Sequence, residues 1–495
     1  MDILLESRAL WASLIALAIL PLAPWRWLVW VICLFLGSSL LASLVHLLAN
    51  YFTGQGITVA VWHHLGMAFD PAVASQFWYL WLCVITAFLV LGLGLHFWGR
   101  VSINTRLTHL TWTSEVGLGG VLLVLSSVSV LTHPAVVDFS SVMHKRFQLR
   151  GPDLLAETLK GQSSVVKAIT PKSFVYLYLE SFERIFLDQE RFPGLTPNLN
   201  RLFSQGVQVG RIYTAPMTGW TMAGMVSSQC GLPLSTAASV PASVEGSDQL
   251  TCLGDILNKE QYHLTYMGGA DAGFSKKGRF YTSHGFTEVY GTEELENLAG
   301  RALPQSPWGV YDDDLLSMAY QKFESIASQY DRFGLVLLTL DTHQPSGHKT
   351  PSCKGLTYGD GESGMLNSVK CADRIVSRFI EQVLASEHAQ DIVLIVGSDH
   401  LLMGNDAGIE EETTTRENLF YLFNVDQPSV VDRQATKFDL APTILHSLGF
   451  QVGILNFGRN LFESQPTLSE SFGRDEFNRL LYVWRNQLEA SWQEE

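Results

Sequence analysis

The chain has 495 residues, of which 47% are hydrophobic and 16% charged, and its formal net charge is −15. A soluble protein carries roughly 25% charged residues, so part of this chain is unusually apolar. The acidic balance excludes a nucleic-acid binder, which needs clustered Lys and Arg, and the composition excludes intrinsic disorder and collagen-like repeats.

The apolar part lies first. Residues 1–150 hold 5 acidic and 7 basic residues, whereas residues 151–495 hold 43 acidic and 26 basic ones, a net of −17. Long uncharged runs predict four membrane spans, at about 9–25, 27–50, 76–98 and 116–135, because a spanning helix needs about 20 apolar residues. The first run is the shortest. It is read as a span rather than a cleaved leader, since it lacks a basic start and a second apolar run follows at once. Residues 1–137 are therefore expected to form a transmembrane domain, and 138–172 a juxtamembrane linker with a helical patch. Arg26, Arg100 and Arg106 sit in loops that should face the cytoplasm, while the 51–75 loop carries only Asp70. Both termini then lie outside. Lys145, Arg146 and Arg150 after the last span pull the other way.

Cys33 and Cys83 fall within predicted spans, where a thiol is a small apolar side chain. Cys230, Cys252, Cys353 and Cys371 lie in the acidic part and show no CxxC metal spacing. They are read as two local disulfides, Cys230–Cys252 and Cys353–Cys371, or as four reduced thiols.

From Ser173 onward three short apolar runs stand out: SFVYLYL (173–179), FGLVLLTL (333–340) and DIVLIVGS (391–398). Continuous β-rich runs suit strands buried on both faces of a parallel sheet. NLFYLFNV (418–425) is a further strand, helical patterns fill 312–329 and 365–387, and a surface helix ends the chain. Alternating strands and helices predict an α/β sandwich with a mostly parallel sheet over 173–495.

Each of the three runs leads into carboxylate or imidazole groups: Glu180 after the first, Asp341 and His343 after the second, Asp399 and His400 after the third. Ligands bind at that edge of open α/β sheets. Glu180, Asp399 and His400 suit a divalent cation such as Mn²⁺, Mg²⁺ or Zn²⁺. Such an ion can activate a hydroxyl nucleophile. The candidate hydroxyls lie in APMTGWTMAGMVSSQCG (215–231), where a helix begins near Trp220. Thr218 sits at the expected N-cap and Thr221 three residues on; both could equally be capping residues.

YLESFER (178–184), the threonine-bearing turn, DTHQP (341–345) and GSDH (397–400) resemble the alkaline phosphatase superfamily. More closely, the chain is similar to its membrane-anchored branch, which includes lipoteichoic acid synthases and phosphoethanolamine transferases. YFTGQGI (51–57), TMAGMVSSQCGLPL (221–234), CLGDIL (252–257), SHGF (283–286) and WGVYDD (308–313) carry the same resemblance. It implies an α-helical membrane domain and a periplasmic catalytic domain at a bacterial inner membrane. It also implies one Mn²⁺-like ion on Glu180, Asp399 and His400. The nucleophile would be a threonine that also touches the ion, with Thr218 the better match and Thr221 the alternate. His343 would bind the phosphate or protonate a leaving group, and Lys277 and Arg279 would reach phosphate or glycerol hydroxyls. The implied reaction moves phosphoglycerol from phosphatidylglycerol to a periplasmic glucan and releases diacylglycerol. Phosphoethanolamine transfer or lipoteichoic acid synthase-like polymerisation is the alternative. The nucleophile segment lacks the Cys/Ser-x-Pro-x-Arg pattern that formylglycine formation needs.

Overall fold

The structure is a computed structural model. It describes residues 8–20, 25–54, 56–58, scattered positions between 61 and 101, and residues 112–147, 155, 171–234, 250–409 and 416–491. The chain divides into two compact units, Met1–Gln148 and Leu149–Glu495.

In the first unit the run at 9–25 forms a short helix, α1 (Arg8–Ile19), of 12 residues. That is about 18 Å of helix, less than a span requires, and residues 21–24 lie outside the described residues. α2 (Arg26–Thr53) contains Trp27–Asn50, the one described helix long and apolar enough to cross a membrane. It stops where Gly54 takes a left-handed conformation and donates its N–H to Asn50 O. The run predicted at 116–135 is not one straight helix. α3 (Trp112–Leu131) and α4 (Pro134–Phe147) meet at a 55° bend, because Pro134 lacks an N–H and its ring blocks the preceding turn. Together they too pass as a broken span. His46 of α2 lies 3.2 Å from Asp138 of α4, and Ser43 bonds His133 at 2.9 Å, so polar side chains of this apolar unit face one another. Most of the predicted span at 76–98, Cys83, most of the 51–75 loop and most of the 138–172 linker lie outside the described residues.

The second unit is built on an eight-stranded sheet. Its strands are β1 (Ser173–Leu179), β2 (Val207–Ile212), β3 (His263–Gly268), β4 (Glu288–Tyr290), β5 (Phe333–Leu338), β6 (Ile392–Ser398), β7 (Phe420–Phe423) and β8 (Val430–Ala435). Their order is β8-β2-β7-β6-β1-β5-β3-β4. β7 runs antiparallel to β6 and β2; the other pairings are parallel. β1, β5 and β6 are buried along their whole length at the centre. That explains their uninterrupted apolar sequences, since helices cover both faces. Five helices matter below: α5 (Thr221–Cys230), α6 (Leu253–Lys259), α7 (Lys277–Ser283), α8 (Asp312–Gln329) and α9 (Gly364–Ala385). The last helix, α10 (Arg474–Ser491), buries Phe477, Leu480, Leu481, Trp484 and Leu488. That spacing puts one apolar stripe against the core, so only its other side is surface.

Cys230 is bonded to Cys252 and Cys353 to Cys371. The first bridge ties the end of α5 to the start of α6. It closes a loop with a sequence separation of 22, for which chain entropy gives about 3 kcal/mol. The double substitution Cys230→Ala/Cys252→Ala is expected to lower the melting temperature of the detergent-solubilised protein by several degrees; an unchanged melting temperature would contradict this.

Candidate active site

β1 and β6 are direct neighbours, with Leu179 opposite Ser398. The residues that follow, Glu180 and Asp399, therefore emerge side by side at the carboxyl edge of the sheet. Ser181 turns sharply at φ 51°, and its N–H donates to Asp399 Oδ1 at 2.8 Å. The His400 N–H donates to the same oxygen at 2.7 Å. Asp399 Oδ2 is left buried with no hydrogen-bond partner. His400 Nδ1 donates to Leu401 O at 2.7 Å. Nδ1 thus holds the proton and Nε2 faces the carboxylates, 3.3 Å from Glu180 Oε1 and 3.4 Å from Asp399 Oδ2. All three side chains are buried, and each offers a ligand atom within 4.8 Å of the others.

Burial pushes the Asp399 carboxyl up to about 7, and the Glu180 charge adds to it. Burial also works to raise Glu180, but the His400 imidazole, and then His343, hold it down at about 2. Burial works to lower His400, yet Asp399 and Glu180 raise it to about 9. Two buried carboxylates thus retain protons on or beside themselves where a cation would balance their charge. The orphaned Asp399 oxygen and the O, O, N donor set fit one divalent ion.

The helix carrying the threonines starts later than its sequence suggests. α5 begins at Thr221, and Trp220, in an extended conformation, is the N-cap but does not cap the helix through its side chain. Thr218 does not cap it. Its hydroxyl donates to Ala215 O at 2.8 Å inside a tight turn that includes Met217 at φ 63°, and the residue is fully buried. Thr221 instead joins the cluster. Its Oγ1 lies 3.4 Å from Glu180 Oε2 and 3.4 Å from His400 Nε2. As the first helical residue it also sits among free N–H groups at the positive end of the helix.

His343 approaches from the loop after β5. Its ring stacks on Trp308 with centroids 4.0 Å apart, and Nδ1 bonds Gln344 O at 2.9 Å. Burial lowers its pKa, with the Glu180 charge opposing. Ser181 Oγ donates to Gln344 Oε1 at 2.7 Å and lies 2.8 Å from Glu180 Oε1, which couples this loop to the cluster. Lys277 opens α7 after two residues in left-handed conformations, Ser275 and Lys276. Its buried Nζ donates to Phe274 O at 2.9 Å. Burial brings Lys277 down to about 8 against the charges of Glu180, Asp271 and Asp399, so it feels both carboxylates of the cluster. Arg279 lies on the exposed side of α7.

Sequence reasoning placed Asp341 at the strand end but missed its neighbour Asp312 and the Trp308 ring as supports of the site. Asp312, at the start of α8, accepts N–H bonds from Leu340 at 2.7 Å and Asp341 at 3.0 Å. Asp341 is buried with neither carboxylate oxygen hydrogen-bonded, and burial plus the Asp312 charge raise it to about 10. It therefore stays a neutral acid beside the loop. WGVYDD (308–313) contains both Trp308 and Asp312 and was the available signal. A second set, Cys230, Cys252 and His284, also lies within metal-ligand distances. Its sulfurs are spent in the disulfide, and His284 Nδ1 is held by Asp255 at 2.7 Å.

The sulfatase family's sequence profile matches residues 172–450, and the chain belongs to that family. The profile of the phosphoglycerol transferase I N-terminal domain matches residues 6–148. The chain is 33% identical over 458 residues to phosphoglycerol transferase I of Xanthomonas euvesicatoria pv. vesicatoria, covering 90% of this chain and 64% of that protein. It is 33% identical over 446 residues to phosphoglycerol transferase I of Escherichia coli O6:H1, covering 88% and 57%. The chain thus spans less than two thirds of the length of these relatives. Its fold is similar to that of a protein in the alkaline phosphatase superfamily from Vibrio parahaemolyticus, with a TM-score of 0.53, 23% identity and coverage of 66% and 78%. Lipoteichoic acid synthase LtaP from Listeria monocytogenes is similar at a TM-score of 0.53, 16% identity and coverage of 69% and 97%.

Proposed function

We propose that the chain is a membrane-bound phosphotransferase that moves phosphoglycerol from phosphatidylglycerol to a glucan hydroxyl through a phospho-threonine intermediate at Thr221. The observation that carries this reading is the Thr221 hydroxyl, 3.4 Å from both Glu180 and His400 on the free end of α5. The similarity to phosphoglycerol transferases I supports the donor and the acceptor class. The apolar stretch Trp27–Asn50 suits a lipid donor.

Glu180, Asp399, His400 and Thr221 would hold one divalent ion, with Mn²⁺ the first candidate. When bound, it would lower the pKa of the threonine hydroxyl and balance charge on the phosphoryl oxygens. Thr221 Oγ1 attacks phosphorus, the O–P bond to diacylglycerol breaks, and phosphoglycerol stays on the threonine. Free N–H groups of the first turn of α5 and Lys277 face the phosphoryl oxygens. His343, neutral at the start, carries the Thr221 hydroxyl proton to the departing diacylglycerol oxygen, and in the second step carries the proton of the incoming sugar hydroxyl back to the Thr221 oxygen. Arg279 binds at the outer edge, toward the glycerol hydroxyls. The catalytic unit lies on the periplasmic side, where two disulfides persist.

Diacylglycerol release from labelled phosphatidylglycerol, with Mn²⁺ present, tests the reading. Release that rises when glucan is added supports it. Turnover of phosphatidylethanolamine alone would move the donor to the phosphoethanolamine class. The pH profile gives a second check. Because burial lowers His343, its neutral form persists below the usual histidine range. The acid limb of kcat should therefore lie below pH about 6.5 and vanish in the residual activity of His343→Ala. An acid limb well above that pH would contradict the role.

A further inference from the structure

Lys437 is a buried lysine that the proposed chemistry does not use. It is 1% exposed and opens a short 3-10 turn, Lys437–Asp439. The turn is rigidly held. Asp439 accepts the Thr436 N–H at 2.9 Å and the Arg459 N–H at 2.9 Å. From this base the Lys437 ammonium donates to Ser398 O at 2.7 Å, a charge-assisted bond.

Ser398 is the last residue of β6, directly before Asp399 and His400. Its side chain is already committed, since Oγ donates to Phe182 O and accepts the Leu419 N–H. Its carbonyl is what Lys437 holds. The helix bearing Thr221 presses on the same point. A Cβ at Gly224 would lie 1.8 Å from Asp399 O and 3.6 Å from Lys437 Cε. Only glycine lets α5 ride this close to the Asp399 backbone. Lys437 thus sits where the Asp399–His400 strand end, the nucleophile helix and the 3-10 turn converge. Burial brings its amine down to about 7, and the Asp399 charge opposes that fall.

We propose that Lys437 is a positioning residue for the Asp399–His400 ligand pair, acting through the Ser398 carbonyl, and that it sets the affinity of the site for its divalent ion. The inference rests on the metal-site reading above. Losing the outer support of a metal ligand commonly costs 10–100-fold in affinity or activity. Lys437→Met removes the donor and the charge at similar volume. Lys437→Gln keeps an N–H donor.

The test is Mn²⁺ titration of the metal-stripped, detergent-solubilised full chain, followed by free-Mn²⁺ resonance, alongside melting temperatures with and without the ion. Lys437→Met should bind Mn²⁺ roughly 10–100-fold more weakly, and Lys437→Gln should recover part of that loss. Its KM for donor lipid at saturating Mn²⁺ should match the parent. A merely structural role would lower the melting temperature equally with and without the ion and leave the affinity unchanged. Parental affinity in Lys437→Met overturns the inference alone. So does a Gln variant that binds no better than Met. If Met does not fold, Lys437→Gln decides alone: Mn²⁺ bound more weakly than by the parent supports the inference, and parental affinity overturns it. A parent chain that binds no Mn²⁺ overturns the metal-site reading and this inference together.

Discussion

Thr221→Ala is expected to lower diacylglycerol release by roughly 10⁴-fold or more, because it removes the atom that attacks phosphorus. Thr218→Ala is expected to stay within a few-fold of the parent. The contrast follows from geometry rather than residue type. Both threonines are close to the start of one helix. The Thr218 hydroxyl is spent on Ala215 O at 2.8 Å, whereas the Thr221 hydroxyl faces Glu180 and His400. Thr218→Ala loses one buried hydrogen bond while Ala215 O keeps the Thr218 N–H at 3.3 Å, a cost of about 0.5–1.5 kcal/mol in stability. Its signature is a lower melting temperature with kcat preserved. Loss of turnover in both variants, with both folded, would mean that the turn at 215–218 contributes to catalysis directly.

Stripping the divalent ion is expected to abolish turnover, and Mn²⁺ should restore it. Asp399→Asn should weaken Mn²⁺ binding by more than the roughly 10–100-fold that a supporting residue costs, because it removes a ligand itself. The pH dependence of binding has a definite sign. Without the ion, His400 is held protonated up to about 9 and Asp399 up to about 7. The ion must displace those protons, so affinity should rise as pH increases from about 6 to about 9. Bound ion stabilises the fold by about 2.7 kcal/mol at a hundred times Kd, which a melting curve reads directly. Affinity independent of pH, or a chelated enzyme that retains turnover, would remove the ion from the account.

The central strands and the long helices were legible because one physical signal dominates each. β1 and β6 are buried on both faces, so their sequences are apolar without interruption and their ends almost coincide with the predicted runs. α8 spans the predicted 312–329 because three aspartates open it and an apolar stripe follows. The outer strands were not legible. β8 (VVDRQA) is an exposed edge strand with polar side chains, and β4 has three residues; neither produces a run. Glu180, Asp399 and His400 could be read because each follows a strand whose end was itself readable. The threonine could not be assigned, because capping preference favours Thr218, while the turn at 215–218, visible only in the fold, takes its hydroxyl. Lys437 left no local trace, since its partner Ser398 is 39 residues away in sequence. In the first unit, hydropathy finds apolar stretches but does not register the bend that Pro134 imposes between α3 and α4.

The most direct test of Thr221 as nucleophile is to trap the intermediate. The 495-residue chain with Mn²⁺ is mixed with phosphatidylglycerol, without glucan, quenched in acid, digested and analysed by fragmentation mass spectrometry. One peptide carries both threonines, so fragmentation decides between them. The account predicts a phosphoglycerol adduct on Thr221 that disappears in Thr221→Ala and is chased by added glucan. An adduct on Thr218, or donor turnover with no adduct on either residue, would contradict it.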